Sequence, residues 1–124
     1  MKIGLIFLIL LAGAGAHRPA RAAGDVARGK DVFAQECAEC HSVRESKNKK
    51  GPTLFAILGR KAATQPDAVY SDALKGSGIS WTADKLDPYI TNPRKFVVGG
   101  KMKYDGLENA AERADLIAYL ATQH

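Results

Sequence analysis

Apolar and small side chains recur at three- and four-residue steps in a stretch near residue 30. This spacing places side chains on one face of an α-helix. The stretch follows Gly24-Asp25, a pair that can begin a helix. We therefore predict a first main helix whose apolar or small face runs through Val26, Gly29, Phe33 and Cys37.

A second amphipathic stretch lies at the carboxyl end of the chain. Asn109-Ala110-Ala111-Glu112 has the spacing of a capping box, which is typical of a helix start. The residues beyond it carry an apolar face at helical spacing, made of Ala114, Ile117, Leu120 and Ala121, with Leu116 beside them. These features predict a second main helix.

A third, less regular helix is predicted between Thr82 and Asn92. Its apolar residues are Leu86, Tyr89 and Ile90. Pro88 falls inside the pattern and lacks the N–H that would bond back to residue 84. We therefore expect a short helix that begins late, at Asp84, or is kinked.

The remaining sequence consists of short segments interrupted by glycine and proline, at Gly51-Pro52, Gly76, Gly78 and Asn92-Pro93. It shows no alternating strand pattern and no internal repeat. The fold class predicted is all-α, with three main helices and long loops. About 100 residues give a thin core, so a cofactor is expected to fill the centre.

Cys37-Ala38-Glu39-Cys40-His41 has the spacing of a covalent haem attachment site. Two thiols separated by two residues can each form a thioether to a haem vinyl group, and the adjacent histidine can then ligate the iron. A disulfide or a thioredoxin-like redox pair is an alternative for the cysteines alone. Structural zinc needs four ligands, and no second Cys or His pair is present to supply them.

The amino terminus has the pattern of a secretory signal. Lys2 precedes an apolar run over residues 3–16, too short to span a bilayer comfortably, and Ala20 and Ala22 provide an A-x-A cleavage site. We interpret residues 1–22 as a cleaved signal peptide and 23–124 as one domain; an uncleaved anchor is the alternative.

Cleavage also changes the net charge. Three of the 18 Lys and Arg residues lie in the signal peptide, whereas all 13 Asp and Glu residues remain, so the net charge of the mature protein is 15 − 13 = +2. In a bacterium the product would be periplasmic.

Removal of the signal leaves Met102 as the one thioether, 61 residues after His41 in a Gly-rich segment. Met102 has lysines on both sides, which is unusual for a methionine that merely fills a core. We therefore predict that Met102 and His41 ligate the haem iron.

The chain resembles class I c-type cytochromes of the mitochondrial cytochrome c and bacterial cytochrome c2 type over nearly the whole mature length. The matching residues follow in the family's order: Gly24-Asp25, Gly29-Lys30, Phe33, Cys37 to His41, Gly51-Pro52-Thr53-Leu54, Gly59-Arg60-Lys61, Tyr70-Ser71, Trp81, Tyr89, Asn92-Pro93, Lys101-Met102 and 112–120. Most of these matches are weak individually, but their order is highly specific.

The resemblance implies a small cytochrome c fold around one covalently bound haem c. It implies thioethers at Cys37 and Cys40, and His41 and Met102 as axial ligands. It also implies that the Pro52 backbone carbonyl accepts a hydrogen bond from His41 and that Arg60, Tyr70 and Trp81 donate hydrogen bonds to the haem propionates. Tyr89 would lie near the methionine sulfur. The first and last helices would cross closely at Gly29.

Four positions depart from the family pattern. Val98 and Gly100 stand where the family has proline and threonine, and Leu74 stands where it has asparagine. Glu36 precedes the first cysteine, where lysine is typical. A basic patch made of Arg94, Lys95, Lys101 and Lys103 is still expected.

The function implied is a periplasmic single-haem electron carrier rather than an enzyme. The expected partners are redox proteins, namely a cytochrome bc1 complex or a dehydrogenase as donor and a terminal oxidase or photosynthetic reaction centre as acceptor. Docking to membrane complexes would be transient; the protein is expected to be a monomer and to bind no nucleic acid. If Met102 does not coordinate, an open-site peroxidase or gas-binding protein is the alternative; without haem, a Cys-x-x-Cys thiol-disulfide oxidoreductase remains.

Overall fold

The structure is a computed structural model that describes residues 24–124, so the predicted signal peptide lies outside the described residues. The described part contains five helices in chain order: α1 (Val26–Glu36), α2 (Asp72–Lys75), α3 (Ala83–Thr91), α4 (Pro93–Phe96) and α5 (Ala110–Ala121). Across residues 24–124 the β-structure is limited to an isolated antiparallel bridge between Lys61 and Ser80. The all-α prediction is confirmed.

Helix α1 begins where the sequence predicted. The Asp25 side chain accepts a hydrogen bond from the Arg28 backbone N–H at 2.8 Å, which caps the first turn. The buried face contains Gly29 and Phe33, as expected. Val26 belongs to the same predicted face but is 44% exposed, so the buried part of that face begins at Gly29.

Helices α1 and α5 cross in close contact at Gly29. A Cβ atom at this position would lie 1.9 Å from the Asp115 carbonyl oxygen, so only glycine fits without moving a helix. The aromatic rings of Phe33 and Tyr119 meet beside the crossing, with centroids 5.6 Å apart. The Asp115 carboxylate accepts hydrogen bonds from the Asp25 backbone N–H at 2.6 Å and from the side chain of Arg28 at 2.9 Å. The close crossing predicted at Gly29 is present.

Helix α5 begins after Asn109, whose side chain accepts hydrogen bonds from the backbone N–H groups of Ala111 and Glu112 at 3.0 and 3.1 Å. Leu116 is its most buried residue, at 1% exposure, and Leu120 is buried with it. Ala121, on the predicted apolar face, is the last residue of α5 and is exposed.

Helix α3 begins at Ala83, one residue earlier than the expected start, and continues through Pro88. Asp84 and Pro88 are both exposed, so water can replace the backbone hydrogen bond that proline cannot donate. Leu86 and Ile90 are buried on the opposite side. Their burial keeps the residues around Pro88 helical despite the missing bond.

The two shortest helices each begin at a polar cap. Ser71 accepts from the Leu74 N–H at 3.1 Å before α2, and Asn92 accepts from the Lys95 N–H at 3.1 Å before α4. Within residues 24–124, none of the helices has the length and apolar character needed to cross a membrane.

Candidate haem site

The helices and loops enclose a cavity of about 500 Å³. Core residues from α3 and α5 form part of its wall, including Leu86, Ile90, Leu116 and Leu120. Every site residue predicted from the sequence lines this one cavity: Cys37, Cys40, His41, Pro52, Arg60, Tyr70, Trp81, Tyr89 and Met102. Protein interiors are close-packed, so an apolar space of this size indicates a bound group.

The attachment motif lies in a turn at the carboxyl end of α1. The backbone N–H groups of Cys40 and His41 donate to the Cys37 carbonyl oxygen at 3.1 and 2.9 Å, which brings all three side chains to the cavity wall. Cys37 and Cys40 are not joined in a disulfide. Burial, followed by the charges of Glu36 and Cys40, raises the pKa of the Cys37 thiol to about 12. A reactive redox cysteine needs a lowered pKa, so the environment of Cys37 is not that of an activated thiol.

His41 is fixed by its contact with Pro52. The ring atom Nδ1 lies 2.7 Å from the Pro52 carbonyl oxygen, which can only accept, so Nδ1 carries the proton. The lone pair is therefore on Nε2, the form of imidazole that binds a metal. Burial is the main cause that lowers the pKa of His41, and Lys49 and Arg60 lower it further, while the Pro52 bond opposes them. The neutral ring is thus favoured.

Gly51 packs directly against the His41 ring, a contact that the sequence does not predict. A Cβ atom at Gly51 would lie 2.5 Å from Cε1 and 2.9 Å from Nδ1 of His41. Contacts this short do not occur, so a larger residue would displace the imidazole. In the sequence, Gly51-Pro52 indicates only an interruption of regular structure and a match to the family pattern. Its contact with His41 could not be identified from local sequence.

Met102 lies near Tyr89, a partly buried aromatic residue of α3. The Tyr89 hydroxyl lies 3.7 Å from the Met102 sulfur, within reach of a weak hydrogen bond. Burial raises the pKa of Tyr89, so its hydroxyl keeps the proton that it donates. The ring of Tyr89 packs on Trp81 with centroids 4.7 Å apart. Tyr89 therefore lies near the Met102 sulfur, as the resemblance implied.

Arg60 is a half-buried cation on the cavity wall. Its guanidinium donates to the carbonyl oxygens of Thr53 at 2.7 Å and Phe55 at 3.0 Å, and to the Gln65 side chain at 3.2 Å. These partners are neutral; no carboxylate forms an ion pair with Arg60 among residues 24–124. Burial lowers its pKa, which is the cost of holding a cation there. An anionic group in the cavity would offset that cost.

Two further donors lie beside Arg60. The Tyr70 hydroxyl accepts a hydrogen bond from the Gln65 backbone N–H at 3.2 Å, which leaves its own proton free to donate. Trp81 is 6% exposed, and its indole N–H has no hydrogen-bond partner in the described part of the chain. Arg60, Tyr70 and Trp81 together can bind carboxylates such as the propionates of a haem.

These residues fit a c-type haem. The cavity is lined by apolar side chains, a neutral imidazole and a thioether sulfur are at its wall, and two thiols are free for attachment. The alternative of a zinc site is not supported, because no group of three or more His, Cys, Asp or Glu side chains that could hold a metal occurs in the described range. Fold and site define a small all-helical haem protein of the covalent c type.

Comparison with known proteins agrees with this class. Residues 26–124 match the family model for cytochrome c. Cytochrome c2 of Rhodomicrobium vannielii is 43% identical over 125 aligned positions, covering 100% of this chain and 96% of that protein. Cytochrome c type-1 of Ascaris suum is 47% identical, covering 78% of this chain and 87% of its own. The solved structure of cytochrome cH from Methylobacterium extorquens superposes with a TM-score of 0.75 at 40% identity, covering 80% of this chain and 99% of that one.

The chain belongs to the cytochrome c family. It therefore carries one covalent c-type haem and is an electron-transfer protein that acts with redox partners, not an enzyme.

Proposed function

We propose that this cytochrome is a periplasmic one-electron carrier whose haem iron is ligated by His41 and Met102. The observation that carries the proposal is that both side chains reach one cavity and that each has a supporting contact. His41 is held by the Pro52 carbonyl at 2.7 Å, and the Met102 sulfur lies 3.7 Å from the Tyr89 hydroxyl.

The bound haem supplies a reversible change between ferric and ferrous iron. His41 and Met102 would hold the iron and leave small molecules no open site, and the fold would keep both side chains in place in both oxidation states. His41 is oriented through Pro52, and its donor strength is raised by that hydrogen bond. Methionine as the second ligand raises the potential relative to a second histidine.

The remaining wall residues anchor the group. Cys37 and Cys40 provide the thiols for two thioether bonds, and their position in one turn after α1 matches that task. Arg60, Tyr70 and Trp81 supply the hydrogen bonds that buried propionates require.

A basic area is available near the cavity mouth for a partner of opposite charge. Lys101 and Lys103 are exposed cavity-lining residues and form no ion pair within residues 24–124. Arg94 belongs to the same area, but Asp105 neutralises it at 3.1 Å. With Lys95 nearby, this area favours an acidic partner surface. A bc1 complex or a dehydrogenase as donor, and a terminal oxidase or photosynthetic reaction centre as acceptor, fit this role.

The periplasmic location is supported by the signal pattern over residues 1–22. The alignment with the Rhodomicrobium cytochrome c2 also includes this region, since it covers the whole chain. Cell fractionation followed by sequencing of the mature amino terminus tests the location. We expect a periplasmic protein that begins at Ala23; a membrane-bound protein that retains Met1 would support the uncleaved anchor instead.

A potentiometric titration tests the ligand assignment. The holoprotein should titrate as a one-electron couple, and Met102→Ala should lower the midpoint potential, because it removes a ligand that favours ferrous iron. Val98→Ala is the matched control: Val98 lies in the same segment, is 81% exposed and does not line the cavity. An unchanged potential in Met102→Ala would contradict the assignment and favour the open-site peroxidase or gas-binding alternative.

A further inference from the structure

The segment that carries Met102 has few anchors of its own. Between Gly100, whose N–H donates to Val97 at 3.0 Å, and Leu107, whose N–H donates to Ile90 at 2.9 Å, the backbone of residues 101–106 forms no hydrogen bond within the described chain. Such a segment opens locally at low cost unless side chains hold it.

Among residues 24–124, three side-chain contacts hold the segment. Met102 meets Tyr89 in the cavity, Asp105 pairs with Arg94 at 3.1 Å, and the Tyr104 hydroxyl donates to the Glu36 carboxylate at 2.5 Å. The Asp105 pair is between two exposed side chains, and such pairs contribute little. The Tyr104 contact is different, because its ring also packs against the hydrophobic core and so is positioned before it bonds.

The Tyr104–Glu36 hydrogen bond joins two parts of the chain 68 residues apart. Glu36 is the last residue of α1 and directly precedes Cys37, whereas Tyr104 lies two residues after Met102. The bond therefore connects the attachment turn to the methionine segment at the cavity rim, where both residues line the opening.

We propose that the Tyr104–Glu36 hydrogen bond braces the Met102 segment against the end of α1, so that Tyr104 and Glu36 are positioning residues for the methionine ligand. This proposal rests on the ligand assignment proposed above. It also gives a reason for glutamate at the position before the first cysteine: a carboxylate accepts the phenol proton, whereas a lysine at this position would present only donors.

Imidazole binding to the ferric holoprotein tests whether the Tyr104–Glu36 hydrogen bond holds the segment in place. Imidazole competes with Met102 for the iron only when the segment opens. Loss of one such bond should increase imidazole affinity by about three- to tenfold in Tyr104→Phe and in Glu36→Ala. Glu36→Gln keeps an acceptor oxygen and should differ from the natural protein by less than about twofold. The double variant Tyr104→Phe/Glu36→Ala should match either single variant, since both remove the same bond.

Glu39→Ala is the matched control for charge. Glu39 is also an exposed acid at the cavity rim, next to Cys40, but it pairs with Lys50 at 2.6 Å and not with the methionine segment. Its removal should leave imidazole affinity unchanged. An equal effect of Glu39→Ala and Glu36→Ala, or no effect of Tyr104→Phe, would overturn the proposal.

Hydrogen exchange of the amides of residues 101–106 separates this proposal from the ligand assignment. If the natural ferric protein lacks a sulfur-to-iron charge-transfer band, the assignment of Met102 is wrong, and the exchange rates alone then test the brace. Faster exchange in Tyr104→Phe than in the natural holoprotein supports it, and equal rates overturn it.

Discussion

Gly51→Ala tests the close contact between Gly51 and the His41 ring. The added Cβ would lie 2.5 Å from Cε1 of His41, whereas ordinary contact begins near 3.4 Å, so the ring or the backbone must move by about 0.9 Å. A displacement of this size breaks or lengthens the 2.7 Å bond between His41 and Pro52. Loss of an outer hydrogen bond to a metal ligand weakens metal binding by about 10- to 100-fold.

The effect on the midpoint potential has a definite sign. The bond to Pro52 strengthens the imidazole as a donor, and ferric iron depends more on that donation than ferrous iron. If a tenfold loss of binding fell on the ferric state alone, the midpoint potential would rise by about 60 mV. Potentiometric titration of the holoprotein measures this shift, and thermal unfolding followed by circular dichroism measures the accompanying loss of stability.

Gly76→Ala is the control for this substitution. Gly76 follows α2 with φ −85°, and a Cβ there would meet only the Asp72 carbonyl oxygen at 3.4 Å, an ordinary contact. The midpoint potential of Gly76→Ala should equal that of the natural protein. The reasoning is refuted if Gly51→Ala also retains the natural potential and unfolding temperature, since the ring would then have room that the structure does not show.

Three further changes probe other parts of the protein. Gly29→Ala should destabilise the fold by about 1–3 kcal/mol in chemical denaturation, because its Cβ would meet a backbone oxygen at 1.9 Å; an unchanged midpoint would refute the close crossing. The Asp115 carboxylate has a lowered pKa, chiefly through its hydrogen bond to Arg28, so its contribution to stability is present above about pH 4 and is lost as pH falls further. Asp115→Asn should therefore flatten the acid side of the stability profile, and an unaltered profile would contradict this. Reduction by an acidic partner should slow as salt rises, with a shallower slope in Lys101→Gln/Lys103→Gln; rates independent of salt would exclude a basic docking area.

The sequence was most informative where local chemistry determines structure. Helices α1 and α5 were predicted because caps and apolar spacing coincide, and both begin at the expected caps, Asp25 and Asn109. The missing N–H of Pro88 predicts a late start for α3, whereas the burial of Leu86 and Ile90 keeps the helix intact from Ala83. Packing against the rest of the fold decides such cases, and local sequence does not contain it.

In the candidate site, too, the sequence predicts features set by local motifs and misses contacts between distant segments. Every residue that the resemblance implied for the site lines the cavity. These residues could be predicted because the attachment motif and the other family matches are short stretches in a fixed order. The contact of Gly51 with His41 and the bond between Tyr104 and Glu36 were not predicted. Each depends on the three-dimensional approach of two segments, which residue spacing along one segment cannot reveal.

An absorption spectrum of the purified holoprotein, recorded before and after dithionite, tests the account most directly. We predict a low-spin haem in both states and, in the ferric protein, a sulfur-to-iron charge-transfer band that is absent from Met102→Ala. A high-spin ferric spectrum without that band in the natural protein would show that Met102 does not ligate the iron, and would contradict the assignment of this cytochrome as a His41/Met102-ligated electron carrier.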